Sequence, residues 1–148
     1  MGASRLRKGR HSVSGQIYSI TFSTKDRRPI LNFLSVSPMA AVFTGGDFLR
    51  GSELLAWVFM PDHVHLLVQL GNQESLSDFV RRFKIETARS INRHYQSQGV
   101  VWSRGFYDRA VRNEDDLTAI ARYIVLNPVR AGLVESVRQY CLWDAVWV

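Results

Sequence analysis

Leu54-Leu55-Ala56-Trp57-Val58-Phe59-Met60, then Pro61-Asp62, then His63-Val64-His65-Leu66-Leu67-Val68-Gln69-Leu70 follow one another without a break. The outer runs are apolar enough to read as strands, and the two residues between them read as a turn. Strands joined so briefly pair as a hairpin, which Gly71-Asn72 ends. Antiparallel pairing therefore sits in the middle of the chain, and the fold class follows from it.

Upstream, Ile17-Tyr18-Ser19-Ile20-Thr21-Phe22-Ser23-Thr24 is rich in β-branched and aromatic residues and reads as another strand. Lys25 to Pro29 is a polar turn. Ile30 to Leu49 mixes apolar and small residues, and Gly45-Gly46 interrupts it, so a helix there has no clear limits. Downstream, Ser75 has the character of a helix N-cap, with Asp78 as a partial capping box. Leu76, Phe79, Val80, Phe83, Thr87, Ala88, Ile91 and Tyr95 recur at helical spacing, with Arg81, Arg82, Lys84, Arg89 and Arg93 on the other face. Gly99 is expected to stop this helix. Val100–Trp102 and Phe106–Val111 are short strand-like pieces around Ser103-Arg104-Gly105.

Asn113 is expected to cap a last helix, with Glu114, Asp115 and Asp116 at its positive end. Leu117, Ile120 and Ile124 form its core stripe, and Pro128 closes it near Asn127. The tail to Trp143 and Trp147 is apolar enough to pack back. Interleaved elements around a hairpin favour an antiparallel α+β fold over a doubly wound parallel sheet. With no repeat or linker visible, the chain reads as one domain over 1–148, its residues 1–14 a basic arm.

The 148 residues suffice for one core, and their formal net charge is +6. Arg5, Arg7, Lys8 and Arg10 open the chain, and no acidic residue precedes Asp26. Such a balance favours a polyanionic partner, most commonly nucleic acid; a merely solvated basic surface is the plainer reading. The one cysteine, Cys141, has no internal partner, which fits a reducing cytoplasm. No stretch approaches the roughly 20 apolar residues that span a bilayer, and the basic start has no apolar segment behind it, so neither a membrane partner nor a secretory signal is expected.

His63 and His65 stand at i and i+2 of a strand, so both face one side and Val64 the other. Two imidazoles at this spacing suit one divalent cation but leave its shell incomplete. They equally suit a polar surface pair. Tyr123 and Asn127, at i and i+4, share one face of the last helix. A helical tyrosine is commonly packing, and an asparagine before proline commonly a helix terminus. Taken together, however, the four residues describe a mechanism. Two imidazoles and an amide oxygen suit Mg²⁺ or Mn²⁺, which polarises a phosphate, and the tyrosine attacks the phosphorus. Ionising a phenol at pH 7 costs about 4 kcal/mol, so positive charge is expected near Tyr123.

Three segments carry a family resemblance. Trp57–Leu67 resembles the metal-binding hairpin of the single-tyrosine HUH transposases. Trp102–Arg112 is similar to the segment before their catalytic helix, and Tyr123–Leu133 to that helix itself. The likeness is closest to the REP-associated tyrosine transposases and runs from about Ile17 to Trp143. It implies a ferredoxin-like antiparallel sheet with helices packed mainly on one face. It also implies a divalent metal, and a DNA transposase that cleaves and rejoins single-stranded DNA carrying a hairpin. The intermediate would be a 5′-phosphotyrosine with a free 3′-hydroxyl. By position, His63 and His65 match the histidine pair, Tyr123 the nucleophile, and Asn127 the third ligand, where the insertion-sequence branch usually has glutamine. That branch exchanges the tyrosine helix between protomers while the REP-associated branch is thought to act as monomers, so monomer and homodimer both stay open.

For DNA contacts, Arg5, Arg7, Lys8 and Arg10 are candidates to follow a backbone or read a short guide. Arg104, Arg109 and Arg112 are candidates for phosphates. Phe106 and Tyr107 are candidates to stack on unpaired bases, at about 1–3 kcal/mol each. The rival readings are a catalytically silent, domesticated DNA-binding protein, a hydrolase using activated water, which would survive Tyr123→Phe, and a relaxase or replication initiator of the wider HUH class, in whose relaxases the tyrosine usually precedes the histidine pair whereas here it follows.

Overall fold

The histidine strand lies at the centre of the sheet. The computed structural model describes residues 12–112 and 115–146; the Arg5–Arg10 cluster, Asn113 and Trp147 lie outside the described residues. Strands β1 (Ile17–Ser23), β2 (Glu53–Phe59), β3 (His63–Gln69), β4 (Tyr107–Ala110) and β5 (Trp143–Ala145) are ordered β4-β1-β3-β2-β5. Every neighbouring pair is antiparallel. The first four strands have the ferredoxin-like order, and the tail adds β5 outside β2, packing back as its apolar character implies.

Alternation along the strands divides the molecule into two cores. Tyr18, Ile20 and Phe22 of β1 and Val64, Leu66 and Val68 of β3 face one side and are buried there with Trp57 and Phe59 of β2. Two helices cover that side, α1 (Phe33–Phe43) and α3 (Leu76–Tyr95); between them lies the single turn α2 (Gly46–Leu49). Helix α3 begins as its sequence requires, the Asp78 amide donating to the Ser75 hydroxyl at 3.1 Å. It ends earlier than Gly99, at Gln96, which takes a left-handed conformation of φ 52°. Two of its cations also depart from the expected solvated face. Arg82 turns back to pair with Glu74, and Lys84 donates to the carbonyls of Ser103 and Gly105 at 3.0 and 2.6 Å.

Helix α1 is the element with the weakest sequence signal. It carries no charge and contains Pro38, so its residues do not divide into two faces by polarity. Its start is held by a reciprocal Asn32–Ser35 capping box.

The last helices lie on the opposite side. Helix α4 (Leu117–Val125) sets Ala121, Ile124 and Val125 against Leu55, Ala56, Val58 and Met60, with Leu67 and Ala145 beside them. Leu117 and Ile120 are only partly buried. Asp116 supplies the cap rather than Asn113, its carboxylate accepting from the Ala119 amide at 3.1 Å. The one-turn α5 (Asn127–Arg130) follows at once, with Pro128 near its start. Helices thus lie mainly on one face, with α4 the exception. It packs on β2 and β5, and leaves the polar half of its face, on β1, β3 and β4, uncovered. No helix among the described residues is long and apolar enough to cross a membrane.

Candidate active site

Strand register builds the polar half-face. Thr21 lies opposite His65 and Ser23 opposite His63, while Tyr107 lies opposite Thr21 and Arg109 opposite Ser19. Directly paired residues share a face, so these side chains stand together. Val64 is fully buried on the other side, as the two-residue period requires.

Both imidazoles are held through Nδ1. His63 Nδ1 is 2.7 Å from the Asp62 carboxylate, and His65 Nδ1 is 2.9 Å from the Thr21 hydroxyl. A carboxylate accepts, so His63 donates from Nδ1, the tautomer that directs the Nε2 lone pair outward when the ring binds a cation. The ring centres are 5.0 Å apart and nearly perpendicular. Burial, then His63, then the Arg130 charge push the His65 imidazole down to about 4. It is therefore neutral at pH 7, the form that can bind a cation.

Asp62 is itself held. The Arg27 guanidinium lies 3.2 Å from its other oxygen and donates to the Ser23 hydroxyl at 2.6 Å. To reach there, Asp26 and Arg27 both adopt left-handed backbone, with φ 57° and 54°. In sequence, Asp62 and Arg27 have only the character of turn residues. The signal that could have exposed Asp62 is its place beside a metal-type histidine; nothing local marks Arg27.

Across the face stands α4. Its Val58 contact is the residue paired with His65, so the helix and the histidine pair share one side of the sheet. Tyr123 is 63% exposed, free of the core stripe. The Arg130 guanidinium lies 3.6 Å over the Tyr123 ring centre and donates to the Tyr123 carbonyl at 2.6 Å. The positive charge expected near the phenol is thus present, from a residue assigned no role in sequence. The Asn127 amide nitrogen donates to the Ile124 carbonyl at 2.8 Å, which leaves its oxygen as the atom available to a cation. Among the described residues no group of three His, Cys, Asp or Glu side chains converges on a metal position; two imidazoles and an amide are the candidate donors, a set chemically suited to a divalent ion.

The DNA candidates separate. Tyr107 is 51% exposed on the histidine face. Arg104 is exposed, and its neighbour Ser103 donates its amide to the Ser23 carbonyl at 2.9 Å, at the His63 end of β1. Arg109 shares its charge with Asp115 at 3.3 Å, and the Arg112 amide donates to the same carboxylate at 2.9 Å. Phe106 corrects the expectation. It is buried in the core beneath α3, because it falls on the opposite face from its neighbour Tyr107, and it has no surface to offer a base.

Residues 12–127 match the family model described as "Transposase IS200 like". The chain is similar to the REP-associated tyrosine transposase of Escherichia coli (strain K12), at 27% identity over 88% of this chain and 77% of that protein. It is 31% identical to a Haemophilus influenzae relative assigned to the REP-associated tyrosine transposases, over 60% of this chain and 56% of that protein. The chain thus spans little more than half of the latter's length. In fold it is similar to a solved REP-associated tyrosine transposase bound to a REP hairpin, with a TM-score of 0.62 and 21% identity, covering 90% of this chain and 79% of the other.

Proposed function

Because this chain belongs to the IS200-like transposase family, we propose that it is a REP-associated tyrosine transposase that cuts and rejoins single-stranded DNA beside a hairpin. Tyr123 is the nucleophile. Its oxygen forms a bond to the scissile phosphorus as the bond to the 3′-oxygen breaks. The phenol gives up its proton and the departing 3′-oxygen takes one up. The product is a 5′-phosphotyrosine ester and a free 3′-hydroxyl. Rejoining reverses this: a 3′-hydroxyl attacks the ester and returns the phenol. One phosphodiester is exchanged for another, so no energy source is needed.

His63 Nε2, His65 Nε2 and the Asn127 amide oxygen would hold the divalent ion, which supplies positive charge to polarise the phosphate. Asp62 and Thr21 hold the two rings for that task. Arg104, Arg112 and the basic opening of the chain serve DNA phosphates, and Tyr107 offers a ring to an unpaired base. The hairpin is the DNA partner, met in the cytoplasm, and one chain supplies the whole site. What supports this reading is that two Nδ1-anchored imidazoles lie on the sheet side on which α4 packs, the helix that carries an exposed tyrosine under a guanidinium.

The test is a denaturing gel of protein, a single-stranded hairpin oligonucleotide and Mn²⁺. An SDS-resistant protein–DNA band is expected, absent in Tyr123→Phe and after chelation. Cleavage that persists in Tyr123→Phe would point instead to activated water. Binding without cleavage in the unaltered protein would point to a silent DNA-binding module.

A further inference from the structure

Arg130 ends α5, and its backbone is as firmly placed as that of Asn127. The Arg130 amide donates to the Leu126 carbonyl at 3.0 Å, and those of Ala131 and Leu133 donate to Asn127 and Pro128 at 2.9 Å. Gly132, at φ 76°, turns the chain away. From this point the side chain folds back over Tyr123, stacking on its ring and donating one N–H to its carbonyl. A guanidinium has five donors in a planar fork, so others remain. Some of the other arginines have their charge matched, among them Arg27 by Asp62, Arg82 by Glu74 and Arg109 by Asp115. Among the described residues no carboxylate is paired with Arg130. A guanidinium stacked on the phenol ring, with no carboxylate to match its charge, is poised for an anion.

We propose that Arg130 is a catalytic residue that binds a non-bridging oxygen of the scissile phosphate, and then of the phosphotyrosine ester. This rests on the assignment of Tyr123 as nucleophile. Negative charge on the non-bridging oxygens must be neutralised as the phenolic oxygen approaches, and a guanidinium fork matches a phosphate edge better than a point charge does. The stack on the ring couples the two tasks, keeping nucleophile and electrophile clamp in one unit.

A plainer role is open to Arg130, that of holding the ring in place, and the experiment separates the two. Adduct formation is timed for the unaltered protein, R130A and R130Q on two hairpin oligonucleotides. One has an ordinary scissile phosphodiester; the other has a methylphosphonate there, which lacks one charged oxygen. Arg130→Gln retains a donor for the Tyr123 carbonyl but no charge. Hairpin affinity and thermal midpoint are read alongside and should stay near those of the unaltered protein. On the phosphodiester both variants should be slower by about 10²–10³, the usual cost of losing one such donor. On the methylphosphonate the deficit should largely disappear, since there is less charge to neutralise. Equal deficits on both substrates, or rates near those of the unaltered protein, would overturn the proposal. Absence of any adduct with unaltered protein would instead defeat the transposase reading beneath it.

Discussion

Asp62 joins two parts of the chain at the candidate site, accepting from His63 Nδ1 at 2.7 Å and facing Arg27 at 3.2 Å. Such partners of metal-binding histidines fix tautomer and ring direction, and their loss typically lowers metal affinity about 10–100-fold. Asp62→Asn keeps an acceptor but loses the charge that holds Arg27. Calorimetric titration with Mn²⁺ should show weakening in that range, with the fold intact by circular dichroism; unchanged affinity would mean His63 is oriented by something else. Lys84 shows a different residue-level constraint. Burial pushes its ammonium down to about 8 from an ordinary 10.5. Between those values the unfolded chain binds more protons than the folded one, so this residue makes stability rise with pH across that window. Below about 8 the full cost of burying the charge is present. Lys84→Met should flatten the rise in urea midpoint measured between pH 8 and 10; an unchanged slope would show that its ammonium keeps an ordinary affinity for protons.

At the scale of elements, the joint between the hairpin and the loop before it is the tightest point. A Cβ on Gly71 would lie 2.6 Å from the Gly51 carbonyl carbon and 2.7 Å from its oxygen, both backbone atoms that cannot step aside. The Gly71 amide also donates to the Ser52 hydroxyl at 2.8 Å. Gly71→Ala should therefore lower stability by about 1–3 kcal/mol, as overpacking does, seen as a lower urea midpoint. A variant as stable as the parent would mean that the loop carrying Gly51 yields freely. The neighbouring ion pair of Glu74 with Arg82, only 6% and 20% exposed, braces the same end of α3. Helix α4 is seated differently, by three small and branched residues on β2 and β5. That seat, rather than any polar bond, decides where Tyr123 stands.

The whole molecule sets every proposed catalytic group within one chain. On the proposed one-chain site, with α4 resting on its own sheet, His65 and Tyr123 act in the same copy. Mixing His65→Ala protein with Tyr123→Phe protein should then give no covalent adduct above the level of either alone. Restored adduct would show that protomers exchange the tyrosine helix. The two-sided sheet explains why such an arrangement tolerates a polar site. The large core beneath α1 and α3, where Phe59 stacks on Phe83 and Phe43 tilts against both, carries the burial on one side. The other side is packed only over half its breadth, and the exposed half holds the candidate site.

Much of this was legible from residue order because it follows from local stereochemistry. A strand period of two sets His63 and His65 together and sends Val64 to the core; a helical period sets Tyr123 above Asn127; Ser75 opens a helix because its hydroxyl accepts where the first amides lack partners. Helix α1 was obscure because an uncharged segment has no polarity contrast to read. Which sheet face α4 covers, that Phe106 turns inward while Tyr107 stays out, and that Arg27 reaches back to Asp62 beside the histidines were decided only in the tertiary structure. These are contacts between segments distant in sequence, and they depend on how whole faces pack, which no local periodicity encodes.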